Sequence, residues 1–319
     1  MKWKKLGKIF DPTQHQLTNN CFEFAQSPQA LVFDNFVRIY FSTRETDIKN
    51  GKYLSHISYI EMDKEFKKIL FVSNKQVIAL GGLGTFDEHG IFPINVLRDK
   101  DKIIAYTCGW NRRVSTSVET SVGYAISNDN GESFQKIGNG PILTASPNEP
   151  FLVGDAFVSI INNTYHMWYI FGTKWIDNNF EESARVYKIG CATSLNGIDW
   201  IKNEGNQIIP DKLNQNECQA LPSVLFANNT FHMVFCYREA LGFRKDKDKG
   251  YKLGYAFSKD NVKWTRDDEA LGLTFEIENW DSDMQCYPHI FTCNNKTYLL
   301  YNGNEFGKHG FGIAVLEEF

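Results

Sequence analysis

Several carboxylates stand at similar places relative to a recurring apolar pattern, and their chemistry is the natural starting point. They are Asp87 in Thr85-Phe86-Asp87-Glu88-His89-Gly90, Asp155, Glu217 in Asn216-Glu217-Cys218-Gln219-Ala220, and Asp281 and Asp283 in Trp280-Asp281-Ser282-Asp283-Met284. Acids crowded into a partly dry cavity have their pKa values pushed apart, so that one stays protonated beside one that is ionised. Cleavage of a glycosidic bond needs that division: a proton for the leaving oxygen and a second carboxylate as base or nucleophile. The expected catalytic set is Glu217, Asp87, Asp155 and Asp283, with Asp281 among the substrate-binding groups. For any one of them, capping a turn or pairing with an arginine is the competing use.

Cations and rings form a second layer. Arg44 in Ser42-Thr43-Arg44-Glu45 and Arg238 in Cys236-Tyr237-Arg238-Glu239 occupy matching positions after aromatic runs, with Arg112, Arg113 and Lys174 in similar places. A guanidinium fork suits a carboxylate or phosphate on a substrate, and pairing with the adjacent glutamates is the alternative. Trp110, Trp175 and Trp280 fall in the same zone, where they can stack on a sugar or pack in the core. Gln29, His89 and Asn302 complete the expected substrate-binding residues. His166 and His232 sit at equivalent positions of a repeat, so the seven histidines read as architecture and no metal site is expected. HExxH, P-loop and GxSxG patterns are absent, no calcium-ligand loop is evident, and no cofactor is expected. Tyr251-Lys252-Leu253-Gly254 and the Lys245–Lys249 run read as a solvated loop.

The elements that must position these groups are short strands. Ser27-Pro28-Gln29-Ala30-Leu31, Ile91-Phe92-Pro93-Ile94, Gly154-Asp155-Ala156-Phe157, Ala220-Leu221-Pro222-Ser223-Val224 and Cys286-Tyr287-Pro288-His289-Ile290 each precede a polar turn and an aromatic run. Anchors at 28, 93, 156, 222 and 288 lie 65, 63, 66 and 66 residues apart. A second marker follows: Gly123-Tyr124-Ala125, Gly190-Cys191-Ala192 and Gly254-Tyr255-Ala256, with Gly312-Ile313-Ala314 near the C-terminus. Asp129-Asn130-Gly131, Asn196-Gly197 and Asp260-Asn261 then lead to Phe134, Trp200 and Trp264, hairpin turns ending in a ring that packs between sheets. Repeats that bury one another's faces form solenoids or propellers. The expected fold is all-β: one domain over residues 1–319, a five-bladed β-propeller of four-stranded antiparallel blades, its ring closed by pairing of the two chain ends. The innermost strand of each blade lines the central channel, so the acids flanking the anchors are expected to converge there.

Composition agrees. With 42% hydrophobic, 23% charged and 14% aromatic residues, the 319-residue chain can bury a large core and is not a disordered one. A net charge of -4 without a long basic run argues against nucleic acid and anionic membranes as partners, leaving a small-molecule or oligosaccharide substrate. Seven cysteines, odd in number, without CxxC spacing and mostly inside apolar runs, fit free thiols in a reducing, cytoplasmic setting. No signal-type h-region and no apolar run of about 18 residues is present.

Laid out this way, the sequence resembles the five-bladed glycoside hydrolase superfamily of arabinanase, xylosidase and invertase-type enzymes along its full length. The Ser-Asx-Gly-x-x-Trp hairpins are similar to that superfamily's blade turns. Gly84-Thr85-Phe86-Asp87, Glu217 through Pro222, Trp280 through Met284 and Tyr301-Asn302-Gly303-Asn304 through Gly312 look like a branch associated with bacterial surface-polysaccharide biosynthesis. The resemblance implies a glycosidase with Glu217 as general acid and Asp87 or Asp155 as base or pKa-setting carboxylate. Ser27 stands where arabinanase-like enzymes place the blade-one Asp, which puts a standard inverting mechanism in question. A transferase or phosphorylase acting on an activated or phosphorylated sugar, and a non-catalytic glycan-binding propeller, are the alternatives.

Overall fold

The computed structural model describes residues 1–177, 183–275 and 279–319. After β1 (Lys2–Phe10), four strands form the first unit: β2 (Glu23–Val32), β3 (Val37–Thr46), β4 (Tyr53–Met62) and β5 (Ile69–Val72). The second is β6 (Gly90–Asp99), β7 (Lys102–Arg112), β8 (Val118–Ser127) and β9 (Gln135–Lys136). The third is β10 (Val153–Ile161), β11 (Thr164–Ile176), β12 (Ala184–Ser194) and β13 (Ile201–Lys202). The fourth is β14 (Glu217–Ala227), β15 (Thr230–Glu239), β16 (Lys252–Ser258) and β17 (Thr265–Arg266). The fifth takes β18 (Cys286–Cys293), β19 (Lys296–Asn302) and β20 (Phe311–Glu318), and β1 returns to complete it, pairing Lys5 with Ala314. Within each unit neighbouring strands are antiparallel. The innermost strands β2, β6, β10, β14 and β18 touch in cyclic order, with β18 against β2, so the five sheets are the blades of a closed β-propeller.

Local chemistry explains the hairpins. Asn162-Asn163, Asn228-Asn229 and Asn294-Asn295 join the two inner strands of blades 3, 4 and 5, with φ between 49° and 61° at both residues. Paired positive φ matches the twist of a tight hairpin, and Asn tolerates it better than other side-chain-bearing residues. The outer turns bolt one blade to the next. Ser127 Oγ accepts the Gly131 N–H at 2.7 Å, and the Gly131 carbonyl accepts Tyr40 Oη of the preceding blade at 2.7 Å. Tyr106 repeats the bond to the Gly197 carbonyl at 2.9 Å. Gly131 (φ 84°) and Gly197 (φ 76°) admit no side chain there, since a Cβ would lie 2.5 Å and 2.8 Å from those hydroxyls. The rings ending these turns pack between blades as expected, Phe134 edge-on to Tyr40 and Trp200 edge-on to Tyr106. All seven cysteines are free thiols and six are buried.

One irregularity recurs in every blade and builds the site. The ladder between the two inner strands slips between Gln26 and Gln29, Ile91 and Ile94, Gly154 and Phe157, Ala220 and Ser223, and Cys286 and His289. Each slip is a β-bulge at the residue before the anchor. Ser27, Asp155, Leu221 and Tyr287 have φ of 53°, 50°, 49° and 57°, and blade 2 places the cis Phe92-Pro93 bond there. A bulge re-aims a side chain without ending the strand, and such features gather at functional sites.

Candidate functional site

The five bulge residues, Ser27, Phe92, Asp155, Leu221 and Tyr287, surround the propeller axis. Phe92 and Tyr287 belong to blades 2 and 5, which are not neighbours, yet their rings meet edge to face at 5.3 Å. Asp155 is the carboxylate of this ring. Its residue is 8% exposed, and burial pushes its carboxyl up to about 7 against the opposing pull of the Leu221 backbone N–H and the Arg185 guanidinium. Ser27 is held by the neighbouring blade: its N–H donates to Asn302 Oδ1 at 2.8 Å, while Asn302 Nδ2 donates to the Ala25 and Gly310 carbonyls.

Above the bulges runs a closed wreath of cations and rings. Arg44, at the end of β3, donates to Gln26 Oε1 at 2.9 Å, and Gln26 Nε2 donates to the Phe306 carbonyl at 2.6 Å. The Phe306 ring meets Phe243 at 6.0 Å and Tyr251 at 6.2 Å, with Arg244 5.1 Å above it. Tyr251 meets Tyr287 at 5.5 Å, and Phe92 lies 5.6 Å beneath Arg44, which returns the path to its start. Arg238, 3% exposed, holds one side of this wreath by facing Phe243 at 3.6 Å and donating to Tyr187 Oη at 2.8 Å. Tyr187 Oη is in turn 2.8 Å from Tyr251 Oη. The Tyr187 hydroxyl therefore links the Arg238 guanidinium to the Tyr251 hydroxyl in one chain of hydrogen bonds.

The other expected acids do not join Asp155. Asp87, Glu217 and Asp281 are each turned to a base on the outermost strand of their own blade. Asp87 pairs with Lys136 Nζ at 2.7 Å, Glu217 with Arg266 Nη1 at 2.6 Å and Asp281 with Lys5 Nζ at 2.6 Å. Blade 3 does the same with Glu149 and Lys202 at 2.7 Å, a pair that no sequence motif marked. All four acids are fully buried. Lys136, Lys202, Arg266 and Lys5 stand opposite Ala125, Ala192, Ala256 and Ala314, the alanines of the Gly-x-Ala marker. A methyl at that position leaves a long cationic side chain free to cross the sheet toward the acid. Glu217 is engaged further by Gln219 and by the N–H groups of Lys212 and Leu213. Blade 1 lacks this ion pair: there Val72 faces Ile60 where the other blades place a base opposite an alanine. Asp283 stands on an exposed loop, 3.9 Å from Lys247.

The expected binding residues divide. Arg44 and Arg238 belong to the wreath. Trp110 donates to Ser55 Oγ at 3.1 Å, the hydroxyl that also receives Arg44, and stacks on His89 at 5.9 Å; they form an outer wall with Arg112, which is tied to Asp47. Burial and Arg112 hold His89 below the usual histidine range. Gln29 lies deeper, where Asn95 Nδ2 donates to it at 3.4 Å, and Trp175 is half-buried against the core between blades 3 and 4. Trp280 stacks on Tyr301 at 5.1 Å beneath the chain at Gly303 and Gly312, a packing role. The expectation of a solvated loop at Tyr251 is corrected: the residue is 6% exposed in the wreath, and only the lysine run beside it meets solvent. Tyr187 and Tyr251 stand at the same spacing before Gly190 and Gly254 of the Gly-x-Ala marker, the signal by which both were findable. Arg185 and Arg244 carried no such signal. Among the described residues no cluster of His, Cys, Asp and Glu could hold a metal ion, and no helix is long and apolar enough to cross a membrane.

Comparison with known proteins sets this geometry in context. The chain matches no family model. Two uncharacterized proteins of Mycobacterium tuberculosis, MT1551 of strain CDC 1551 and Rv1502 of strain H37Rv, are each 30% identical to it over 318 residues, covering 99% of this chain and 100% of theirs. Among solved structures, BT0996 in its complex with RGII superposes with a TM-score of 0.73 at 14% identity, over 99% of this chain and 92% of that one. The endo-arabinase of Bacteroides thetaiotaomicron gives 0.61 at 12% identity, covering 98% of each chain. A structure from the GH130 family of mannoside phosphorylases, described as containing glycoside hydrolases that target β-1,2 mannosidic linkages in Candida mannan, gives 0.63 at 12% identity, over 99% and 90%. At such identities the likeness is one of fold: this chain has the fold of the propeller glycoside hydrolases.

Proposed function

Since the chain belongs to the family of those two mycobacterial proteins and has the fold of the propeller glycoside hydrolases, we propose that it is a carbohydrate-active protein that cleaves a glycosidic bond in its central funnel. The observation that carries this reading is Asp155, a carboxyl at the bulge ring with its pKa pushed up to about 7. A carboxylic acid with a pKa near the working pH is protonated often enough to donate and acidic enough to transfer, as a general acid at a leaving glycosidic oxygen must be. The rings of Phe92, Tyr287 and Tyr251 offer apolar faces for the sugar.

Release of reducing sugar from a panel of disaccharides and oligosaccharides tests it. Asp155→Asn should lower turnover by about 100-fold or more while sugar binding persists. The rate should fall as pH climbs above about 7, because the acid must carry its proton. Turnover unchanged in Asp155→Asn would sink the assignment.

A second reading, glycan binding without turnover, is favoured by one observation. The bulge residue of blade 1 is Ser27, and Asp87, Glu217 and Asp281 are held in ion pairs, so no second carboxylate occupies the bulge ring. Sugar binding that persists in wild type without release of product across the panel would select it.

A further inference from the structure

The wreath carries positive charge that the protein itself does not neutralise. Among the described residues Arg44, Arg185, Arg238 and Arg244 make no salt bridge, although Arg238 is buried and Arg44 and Arg185 are half-buried. Asp155 is the acid that faces Arg185, and the acids near Arg44 and Arg244 are already used: Glu45 by His56, Asp47 by Arg112, and Glu23 and Glu305 by Lys308. Cations removed from water are normally paired, because an uncompensated buried charge costs several kcal/mol. Here the nearest compensation is aromatic, Phe92 and Phe24 for Arg44, Phe243 and Phe306 for Arg244. Arg44 and Arg244 also feel one another as like charges. Arg44 has its Nε and Nη1 committed to Gln26 and Ser55, which fixes the plane of the guanidinium and leaves Nη2 for a ligand. Arg244 stands exposed at the rim of the same wreath.

We propose that the sugar taken by this funnel carries its own oxyanion, a carboxylate or a phosphate, seated between Arg44 and Arg244 while the ring rests on Phe92 and Tyr287 and the glycosidic oxygen lies toward Asp155. This rests on the reading of the funnel as a carbohydrate site. A planar guanidinium and an oxyanion form charge-assisted, directional bonds, strongest where water is thin. Arg238 plays a different part: caged by Tyr187, Tyr251 and Phe243, it positions the hydroxyl of Tyr251 and is not the anion's contact.

Calorimetric titration of the intact protein tests the proposal. The probes are glucose, galactose and mannose, their uronic acids, their 6-phosphates, and inorganic phosphate alone. At least one uronate or sugar phosphate should bind about tenfold or more tightly than its neutral parent, with a preference that weakens as KCl is raised. The carboxylate and phosphate arms say which oxyanion the site takes. Arg44→Gln and Arg244→Gln should each reduce that preference to about threefold or less, and Arg44→Lys should restore part of it. Arg244 is exposed, so its variant reports on binding without threatening the fold. Neutral and anionic sugars binding alike, no anionic sugar binding at all, or a preference untouched by both glutamine variants would overturn the proposal. Inorganic phosphate binding as tightly as every sugar phosphate would overturn it too, because the anion would then not belong to the sugar. Turnover of the wild-type protein separates the two readings: anion preference in a wild-type protein that releases no product from any sugar of the panel supports this proposal while removing the hydrolytic one.

Discussion

Asp155 ties the site to stability through its proton. Its folded pKa stands at about 7, raised from an ordinary 3.8 chiefly by burial. The folded chain therefore holds this proton where the unfolded chain has released it, so stability present below about pH 4 is lost as pH rises toward 7. Asp155→Asn, which removes the charge and keeps the shape, should raise Tm by about 2 °C or more at pH 8 and leave it nearly unchanged at pH 4. Scanning calorimetry at the two pH values decides it; equal effects at both would show that the carboxyl is not strained by burial. Asp155 was visible in the sequence as an acid beside an anchor, but so were Glu217 and Asp281, and proximity could not rank them. What separates them is which way each side chain is aimed, and a one-residue step along a strand reverses that direction. The bulge adds a further turn of the backbone that residue types do not announce, since Ser, Phe, Asp, Leu and Tyr all occupy it.

At the level of strands, the Gly-x-Ala marker acquires a physical meaning. Its alanine lets a lysine or arginine of the outermost strand reach a buried acid leading into the innermost one, clamping first strand to last within a blade. In blade 3, Glu149 accepts from Lys202, Tyr169 and the Gly205 N–H, with the acid fully buried. Glu149→Gln leaves the Lys202 ammonium without its counter-charge and should cost about 3 kcal/mol in urea unfolding. The double variant Glu149→Leu/Lys202→Met removes both charges together and should cost clearly less than Glu149→Gln, since the desolvation of both ions disappears with their attraction. A double variant that loses more than the single one would refute the clamp as the source of the effect.

For the molecule as a whole, the ring stands or falls on β1. This strand joins the first residues of the chain to the last, and it brings Lys5 to Asp281. A chain beginning at Asp11 would expose the length of β20 as an open edge and leave the Asp281 carboxylate buried without its cation. Its Tm should fall by about 10 °C or more, or the chain should aggregate, as calorimetry and size-exclusion chromatography would report. An unchanged Tm would mean that the fifth blade is stable as a three-stranded sheet.

The sequence by itself determined the architecture, because propeller blades are made of local pieces: Asn-Asn and Ser-Asx-Gly turns, alternating strands and a constant spacing of anchors. These act over a few residues and repeat, so each blade restates the evidence of the others. Only the tertiary structure decided the chemistry of the funnel. The partner of Asp87 is Lys136, that of Asp281 is Lys5, and the rings of the wreath that closes on Arg44 come from blades 2, 4 and 5. Charges and rings so far apart along the chain have no shared pattern to betray them. Their meeting depends on the curvature of the ring and on the side of each strand that faces its axis.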